Sequence, residues 1–324
     1  MQPLPVHDQS SDFAAAVLAG LAQPQKVIPA RYFYDRAGSE LFEAITELPE
    51  YYPTRTEIGI LKASAAAIAA AVGPGRAVVE FGSGSSAKTP LLLRAIAPTA
   101  YVPVDISAEF LQASAAALAA DFPGLSVLPV AADFTHAFRL PASIAATPKL
   151  GFFPGSTIGN LAPVAAVDLL RGFAATLGHE AMLVIGFDLA PGPGKSVATL
   201  EAAYDDARGV TAAFNLNLLH RINRELGGDV VIDDFAHRAV WNADLGRIEM
   251  HLVVLRDTGF IAAGQQFALK AGETIHTENS YKWTLAETRL LARAAGWTPV
   301  AHWSDSAGLF CEQLWRRDDG VMQP

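Results

Sequence analysis

The residues best suited to chemistry begin with Glu80-Phe-Gly-Ser-Gly-Ser-Ser-Ala87, which follows the apolar run Ala77-Val-Val-Glu-Phe81. Glycines at 82 and 84 permit a tight turn and a close approach of backbone to a ligand where a first strand meets a first helix. Asp105 ends Tyr101-Val-Pro-Val-Asp105, a position from which a carboxylate holds ribose hydroxyls. Asp133, in Ala131-Ala-Asp-Phe134, ends a third presumed strand within reach of an adenine amino group. Either acid alone reads equally well as a solvated loop residue or a helix cap. Together with the turn they converge at the carboxyl ends of strands, where open sheets bind ligands. The spacing also satisfies G-x-G-x-x-A, so a dinucleotide competes for this site. A pyrophosphate prefers a helix N-terminus with little negative charge beside it, whereas Glu80 favours a cationic ligand. The sulfonium and ammonium of S-adenosylmethionine meet that preference better than NAD does.

These residues need strands and helices in alternation to position them. Ala77–Phe81, Tyr101–Asp105, 125–130, Leu150–Phe153 and 181–187 read as strands. Pro103 is awkward in a central strand, because it donates no ladder hydrogen bond. Helices are expected at 89–97, 108–120 and 166–177, which makes an open, doubly wound sheet of right-handed βαβ units. After Pro191-Gly-Pro-Gly194 the rhythm breaks into one helical stretch over 196–225, a Gly227-Gly228 stop, and strands near 247–256, 266–270 and 273–277. Thr284-Leu-Ala-Glu287 fits a capping box opening a helix that stops at Gly296, followed by strands at 299–303 and 309–315. The expected fold class is therefore α/β, with a smaller α+β unit inserted after the fifth strand. Residues 57–192 with 284–324 make the first domain, and residues 1–56 with 193–283 the second.

Composition narrows the function. With 24 Lys and Arg against 33 Asp and Glu, the chain carries a net charge of −9 and no basic cluster, which argues against a nucleic-acid partner. One cysteine, Cys311, excludes an internal disulfide framework and a multi-cysteine zinc site. His220, His237 and His251 lack partners at ligand spacing, so no metal is expected. The opening MQPLPVHDQSSDF lacks a basic start followed by an apolar stretch, and alanine runs such as 65–72 are too short to span a bilayer. A cytoplasmic protein without a membrane partner is expected.

Further motifs carry a resemblance. Arg31-Tyr-Phe-Tyr-Asp35 with Gly38-Ser-Glu-Leu-Phe42, Leu48-Pro-Glu-Tyr-Tyr-Pro-Thr-Arg55, the glycine turn with Lys88-Thr89, and Phe153-Pro-Gly-Ser-Thr-Ile-Gly-Asn-Leu161 occur in order. Residues 213–228 and Ile275-His-Thr-Glu-Asn-Ser-Tyr-Lys282 follow. Together they resemble the histidine Nα-methyltransferases of ergothioneine biosynthesis. The resemblance implies a Rossmann-like class I methyltransferase domain with an inserted substrate-binding domain. It also implies S-adenosylmethionine-dependent trimethylation of the α-amino group of L-histidine to hercynine, leaving S-adenosylhomocysteine. By the same resemblance the cofactor lies against Gly82, Lys88, Asp105 and Asp133, and the turn residues Glu80, Ser83 and Gly84 complete the expected cofactor site. The substrate is met by Tyr51, Asn160, Tyr204, Glu278 and Ser280, with Phe214 and Met250 as pocket walls. Tyr34 and Asn160 stand nearest the chemistry, and a monomer taking only small-molecule partners is expected. Methyltransferases for another amino acid or amine, and a non-catalytic sensor, are the rivals.

Part of this stands on the residues alone. In an extended segment Glu278 and Ser280 share a face, so a carboxylate and a hydroxyl can serve the two nitrogens of one imidazole. Amide and phenol donors, as on Asn160 and Tyr204, suit a substrate carboxylate without a buried arginine. No residue type at any spacing singles out a general base.

Overall fold

The computed structural model describes residues 9–84, 88–106 and 108–318. Ser85, Ser86 and Ala87 of the glycine turn, and the opening residues up to Asp8, lie outside the described residues. In chain order the elements are α1 (Gln9–Leu21), β1 (Lys26–Val27), α2 (Arg36–Thr46), α3 (Tyr52–Val72), β2 (Ala77–Phe81), α4 (Thr89–Ile96), β3 (Ala100–Asp105) and α5 (Ala108–Asp121). Next come β4 (Ser126–Val127), β5 (Val130–Ala131), β6 (Lys149–Phe153), α6 (Pro163–Leu177), β7 (Met182–Asp188), α7 (Val197–Tyr204) and α8 (Val210–Glu225). The chain ends with β8 (Phe235–Asn242), β9 (Arg247–Val254), β10 (Thr258–Ala262), β11 (Gln265–Leu269), β12 (Thr274–Tyr281), α9 (Leu285–Ala294), β13 (Trp297–Ser304) and β14 (Phe310–Arg317). They form two compact units, one of Pro53–Lys195 with Tyr281 onward, the other of the residues up to Tyr52 with Ser196–Ser280. No described helix is long and apolar enough to cross a membrane.

The larger unit holds one sheet in the order β13-β14-β7-β6-β2-β3-β4, with β5 also pairing with β3. Strands β2 to β7 run parallel, and β14 returns antiparallel beside β7. All residues of β2 and β7 are buried, as expected where helices cover both faces. Alternation sends Val79 and Phe81 into the core around Phe173, Trp297 and Trp315, and Val78 into the opposite core with Leu61, Leu92 and Tyr101. Strand order reverses between β2 and β6, which puts a topological switch point beside Gly82.

Pro103 is accommodated by a break in the sheet. The strand expected over 125–130 is two short pieces, β4 opposite Ala100-Tyr101 and β5 opposite Val104-Asp105. Pro103 faces the gap, so its missing N–H leaves no ladder bond unmade. The capping box at Thr284 and Glu287 forms in full, and Gly296 beyond the helix takes φ +79°. The chain leaves this unit after Lys195 and re-enters at Tyr281. The buried ammonium groups of Lys195 and Lys282 both pair with the buried Asp188 carboxylate at the end of β7.

The smaller unit carries a four-stranded sheet, β1-β12-β9-β8, and a β10–β11 hairpin closed by Ala263-Gly264, both with positive φ. Strands β8 and β10 are additions to the sequence reading, and β12 continues to Tyr281. The single helix expected over 196–225 is two helices. Asp206 accepts the Val210 and Thr211 amides at 3.1 and 2.7 Å, and Gly209 takes φ +73°, so a new helix starts there.

Candidate functional site

Residues at the strand ends of the larger unit are held by hydrogen bonds before any ligand arrives. Gly82 and Gly84 have φ of +73° and +43°, and a Cβ on Gly82 would come within 3.1 Å of the Phe134 ring. Asp105 leaves β3 and accepts the Gly84 amide at 3.2 Å, linking the turn to the neighbouring strand end. Asp133 accepts the Thr135 amide at 2.9 Å and hydroxyl at 2.5 Å, and sits 3.1 Å from His136 Nδ1. Burial opposes its charge, but these partners outweigh burial and hold its carboxyl below the ordinary range. Ser83 is buried. Lys88 precedes α4 and pairs with Glu57 of α3. Donors and acceptors thus stand at two adjacent strand ends beside a turn small enough for close backbone approach.

Glu80 is placed differently from the ligand-facing role expected of it. It is 1% exposed and accepts hydrogen bonds from the Thr89 hydroxyl at 2.7 Å and the Tyr101 hydroxyl at 2.5 Å. Burial, outweighing both hydroxyls, raises its carboxyl to about 7. Much of the charge assigned to it from the sequence is therefore absent at neutral pH.

Asn160 ends a 3-10 turn, Thr157–Asn160, that follows β6. The turn is set by Gly155 at φ +81° and by Ser156, a non-glycine residue at φ +54° whose hydroxyl accepts the Asp188 amide at 2.9 Å. A Cβ on Gly159 would lie 2.8 Å from the Tyr281 carbonyl oxygen, so only glycine lets the turn pack against β12's end.

In the smaller unit the structure gathers Tyr34, Tyr51, Tyr204 and Phe214 of the expected substrate residues into an aromatic group. Tyr34 lies edge-on to Phe42 at 5.7 Å and to Phe214 at 5.8 Å; Tyr51 meets Phe42 at 6.4 Å and Tyr204 at 6.1 Å. Phe42 was missed, although it belongs to the quoted Gly38–Phe42 motif. The segment bearing Tyr34 is fixed from both sides. Phe33 stacks on Phe214 at 4.4 Å, and Asp35 caps α2 while its carboxylate takes Asn217 and Arg224 of α8. Crowding by protein, then the charge of Glu278 and the phenols of Tyr51 and Tyr204, push the Tyr34 phenol well above its ordinary range. Although 44% of its surface is open, the Tyr34 phenol stays protonated at neutral pH.

Tyr204 ends α7, and its hydroxyl lies 2.8 Å from Ser280 Oγ on β12. Its main-chain carbonyl accepts His237 Nε2–H at 2.7 Å, and the Asn215 amide donates to His237 Nδ1 at 2.8 Å. Burial lowers the His237 pKa against the pull of that carbonyl and of Asp205 and Asp206, which suits a neutral ring with its proton on Nε2. His237 therefore positions Tyr204. Met250 is packed on the face of β9 shared by Ile248, Leu252 and Val254.

The structure also gathers Glu249, His251 and His276, with potential ligand atoms within 4.8 Å of one another. The imidazoles stack at 4.7 Å and 25°, which aims their in-plane lone pairs along nearly parallel planes rather than at one ion. Glu249 is already bound by Arg247, Asn242 and His251, while His251 Nδ1 is buried without a hydrogen-bond partner among the described residues.

Comparisons with known proteins identify the family. The family described as histidine-specific methyltransferase, SAM-dependent, matches residues 13–317. Histidine N-alpha-methyltransferase of Mycolicibacterium smegmatis is 41% identical over 301 residues, 91% of this chain and 91% of that one. The protein of the same description from Mycobacterium tuberculosis is 40% identical with the same coverage. Ergothioneine biosynthesis protein 1 of Neurospora crassa is 30% identical over 86% of this chain and 32% of its own length. With the family matched along nearly the whole chain, this protein belongs to the histidine-specific, S-adenosylmethionine-dependent methyltransferases.

Proposed function

We propose that this protein transfers three methyl groups in turn from S-adenosylmethionine to the α-amino nitrogen of L-histidine, giving hercynine for ergothioneine biosynthesis. Family membership supports the reaction. The observation that carries the substrate is the Glu278-Asn-Ser280 segment of β12, with Ser280 bonded to Tyr204 beside the aromatic group. Glu278 accepts one imidazole N–H and the Ser280 hydroxyl serves the other nitrogen.

The residues of the larger unit suit the methyl donor. Asp105 takes ribose hydroxyls, and Asp133 has lone pairs left for an adenine amino group beyond those given to Thr135 and His136. The Gly82–Gly84 backbone admits the donor closely, and the Lys88 ammonium matches its carboxylate. S-adenosylmethionine supplies a methyl group already activated on a sulfonium. What remains for the protein is alignment, which is worth roughly 7–11 kcal/mol in a near-attack geometry. The Tyr204 hydroxyl donates to the substrate carboxylate, a role to which the Asn160 amide is also suited. Tyr34 and Tyr51 accept or donate a hydrogen bond at the amine, and because the Tyr34 phenol stays protonated it orients the nitrogen without acting as base. The proton lost from the amine before attack passes to water.

Mass-resolved turnover with each common amino acid tests this. Histidine gains one, two and then three methyl masses, and the other amino acids stay unchanged. No mass gain identifies a sensor, and a gain on a different amino acid overturns the imidazole assignment.

A further inference from the structure

Beneath the Lys88 ammonium lies a carboxyl group that no step above uses. Glu57 of α3 and Glu312 of β14 are both 0% exposed. Glu312 stands opposite Gly186 in the β14–β7 ladder, and a Cβ on Gly186 would lie 2.5 Å from Glu57 Oε1. A glycine in the middle of a buried strand thus clears the space in which the two side chains meet. Glu57 Oε1 accepts the Gly155 amide at 2.7 Å, and Glu57 Oε2 pairs with Lys88. Gly155 clears space in its turn, since a Cβ there would lie 3.3 Å from Lys88 Nζ. Neither oxygen of Glu312 has a hydrogen-bond donor among the described residues.

Two carboxylates and one ammonium would leave a net negative charge out of water, and buried charges persist only when paired. One proton neutralises the group. We propose that Glu57 and Glu312 share that proton, with Glu312 as donor, and that Glu57 thereby positions Lys88 for the anionic end of the methyl donor. This rests on the role given to Lys88 above. Burial first, and then the charge of Glu57, push the Glu312 carboxyl well above its ordinary range against the opposing pull of Lys88. Glu57 then receives three partners: the Glu312 acid, the Lys88 ammonium and the Gly155 amide. The last belongs to the turn that leads into Asn160, so one carboxylate fixes both the cation and the start of that turn. Lys88 keeps 15% of its side-chain surface open.

The test uses the full-length protein with three substitutions and two readouts. Glu312→Gln replaces the acid by a neutral donor, so KM for S-adenosylmethionine rises by less than about threefold, whereas Glu57→Gln raises it about tenfold or more. KM for histidine moves far less in both. At neutral pH the infrared spectrum shows a protonated-carboxyl component that Glu312→Gln removes, separate from the partial component of Glu80, which only a Glu80→Gln control removes. The proposal is overturned if Glu312→Gln removes no such band, or if it raises KM as much as Glu57→Gln. Should Glu57→Gln fail to fold, the band and the Glu312→Gln kinetics still decide. A normal KM for S-adenosylmethionine in Lys88→Ala removes the role of Lys88 itself. A raised KM in Lys88→Ala with a normal one in Glu57→Gln removes only the positioning by Glu57.

Discussion

The strand ends of the larger unit and the aromatic group of the smaller one are built on different principles. In the first, short polar bonds hold each side chain: Glu80 by Thr89 and Tyr101, Asp105 by Gly84, Asp133 by Thr135 and His136, Lys88 by Glu57. In the second, rings at 4.4 to 6.4 Å set the shape, and polar tips such as those of Tyr204 and Ser280 stand at its margin. Polar bonds fix direction and charge state, which suits a ligand whose every edge carries a donor or acceptor. Ring packing fixes volume with little directional demand, which suits an amine that gains bulk and loses protons through three cycles. The two regions should therefore respond differently to the same kind of substitution.

The largest expected effect is at Glu278. Glu278→Ala is expected to lower kcat/KM for histidine on the order of 10³-fold, if the imidazole loses a charge-assisted acceptor there. Affinity for S-adenosylhomocysteine, measured by calorimetry, stays within about twofold. Equal losses in both would break the division between the regions.

Glu80 gives the next effect, on stability. Its carboxyl is raised from 4.5 to about 7 in the folded protein. The unfolded chain therefore releases this proton first as pH rises. The contribution of Glu80 is fully present below about 4.5 and is lost as pH climbs through about 7, by up to about 3 kcal/mol. Urea denaturation across that window shows the decline in wild type and a flatter profile in Glu80→Gln. Parallel profiles would mean that Glu80 stays charged in the fold.

At Asp105, Asp105→Ala weakens S-adenosylhomocysteine binding by about thirtyfold, roughly 2 kcal/mol for the lost charge-assisted bonds. Histidine turnover at saturating donor should suffer much less, and a matching loss in kcat would refute the separation. The smallest effect sharpens the comparison inside the aromatic group. Tyr204→Phe keeps the ring and removes the bond to Ser280, raising KM for histidine about fivefold, near 1 kcal/mol. An unchanged KM would reduce Tyr204 to a packing residue.

Features that depend on neighbours in the chain were legible. The Thr284–Glu287 box, the Gly82–Gly84 turn and the apolar strands β2 and β7 follow from local hydrogen bonding and burial on both faces. The break at Asp205–Gly209 was not, because the apolar periodicity runs on through it; only Asp206 and Gly209 mark the new start. Strand β8 was missed for a similar reason, since its burial alternates weakly. Glu57 and Glu312 carried a faint signal, an acid within an apolar helix turn and another between buried strand residues, but neither names the other.

By itself the sequence determined the alternation of strand and helix, the tight turn after β2 and the residue types available for binding, because those depend on steric rules and periodicity acting over a few residues. The tertiary structure alone decided which carboxyl is charged. Glu80, Glu312 and Asp133 share one side-chain chemistry, yet two are raised and one is lowered. A proton's affinity depends on the dielectric and the partners around it, and only the folded chain brings those together.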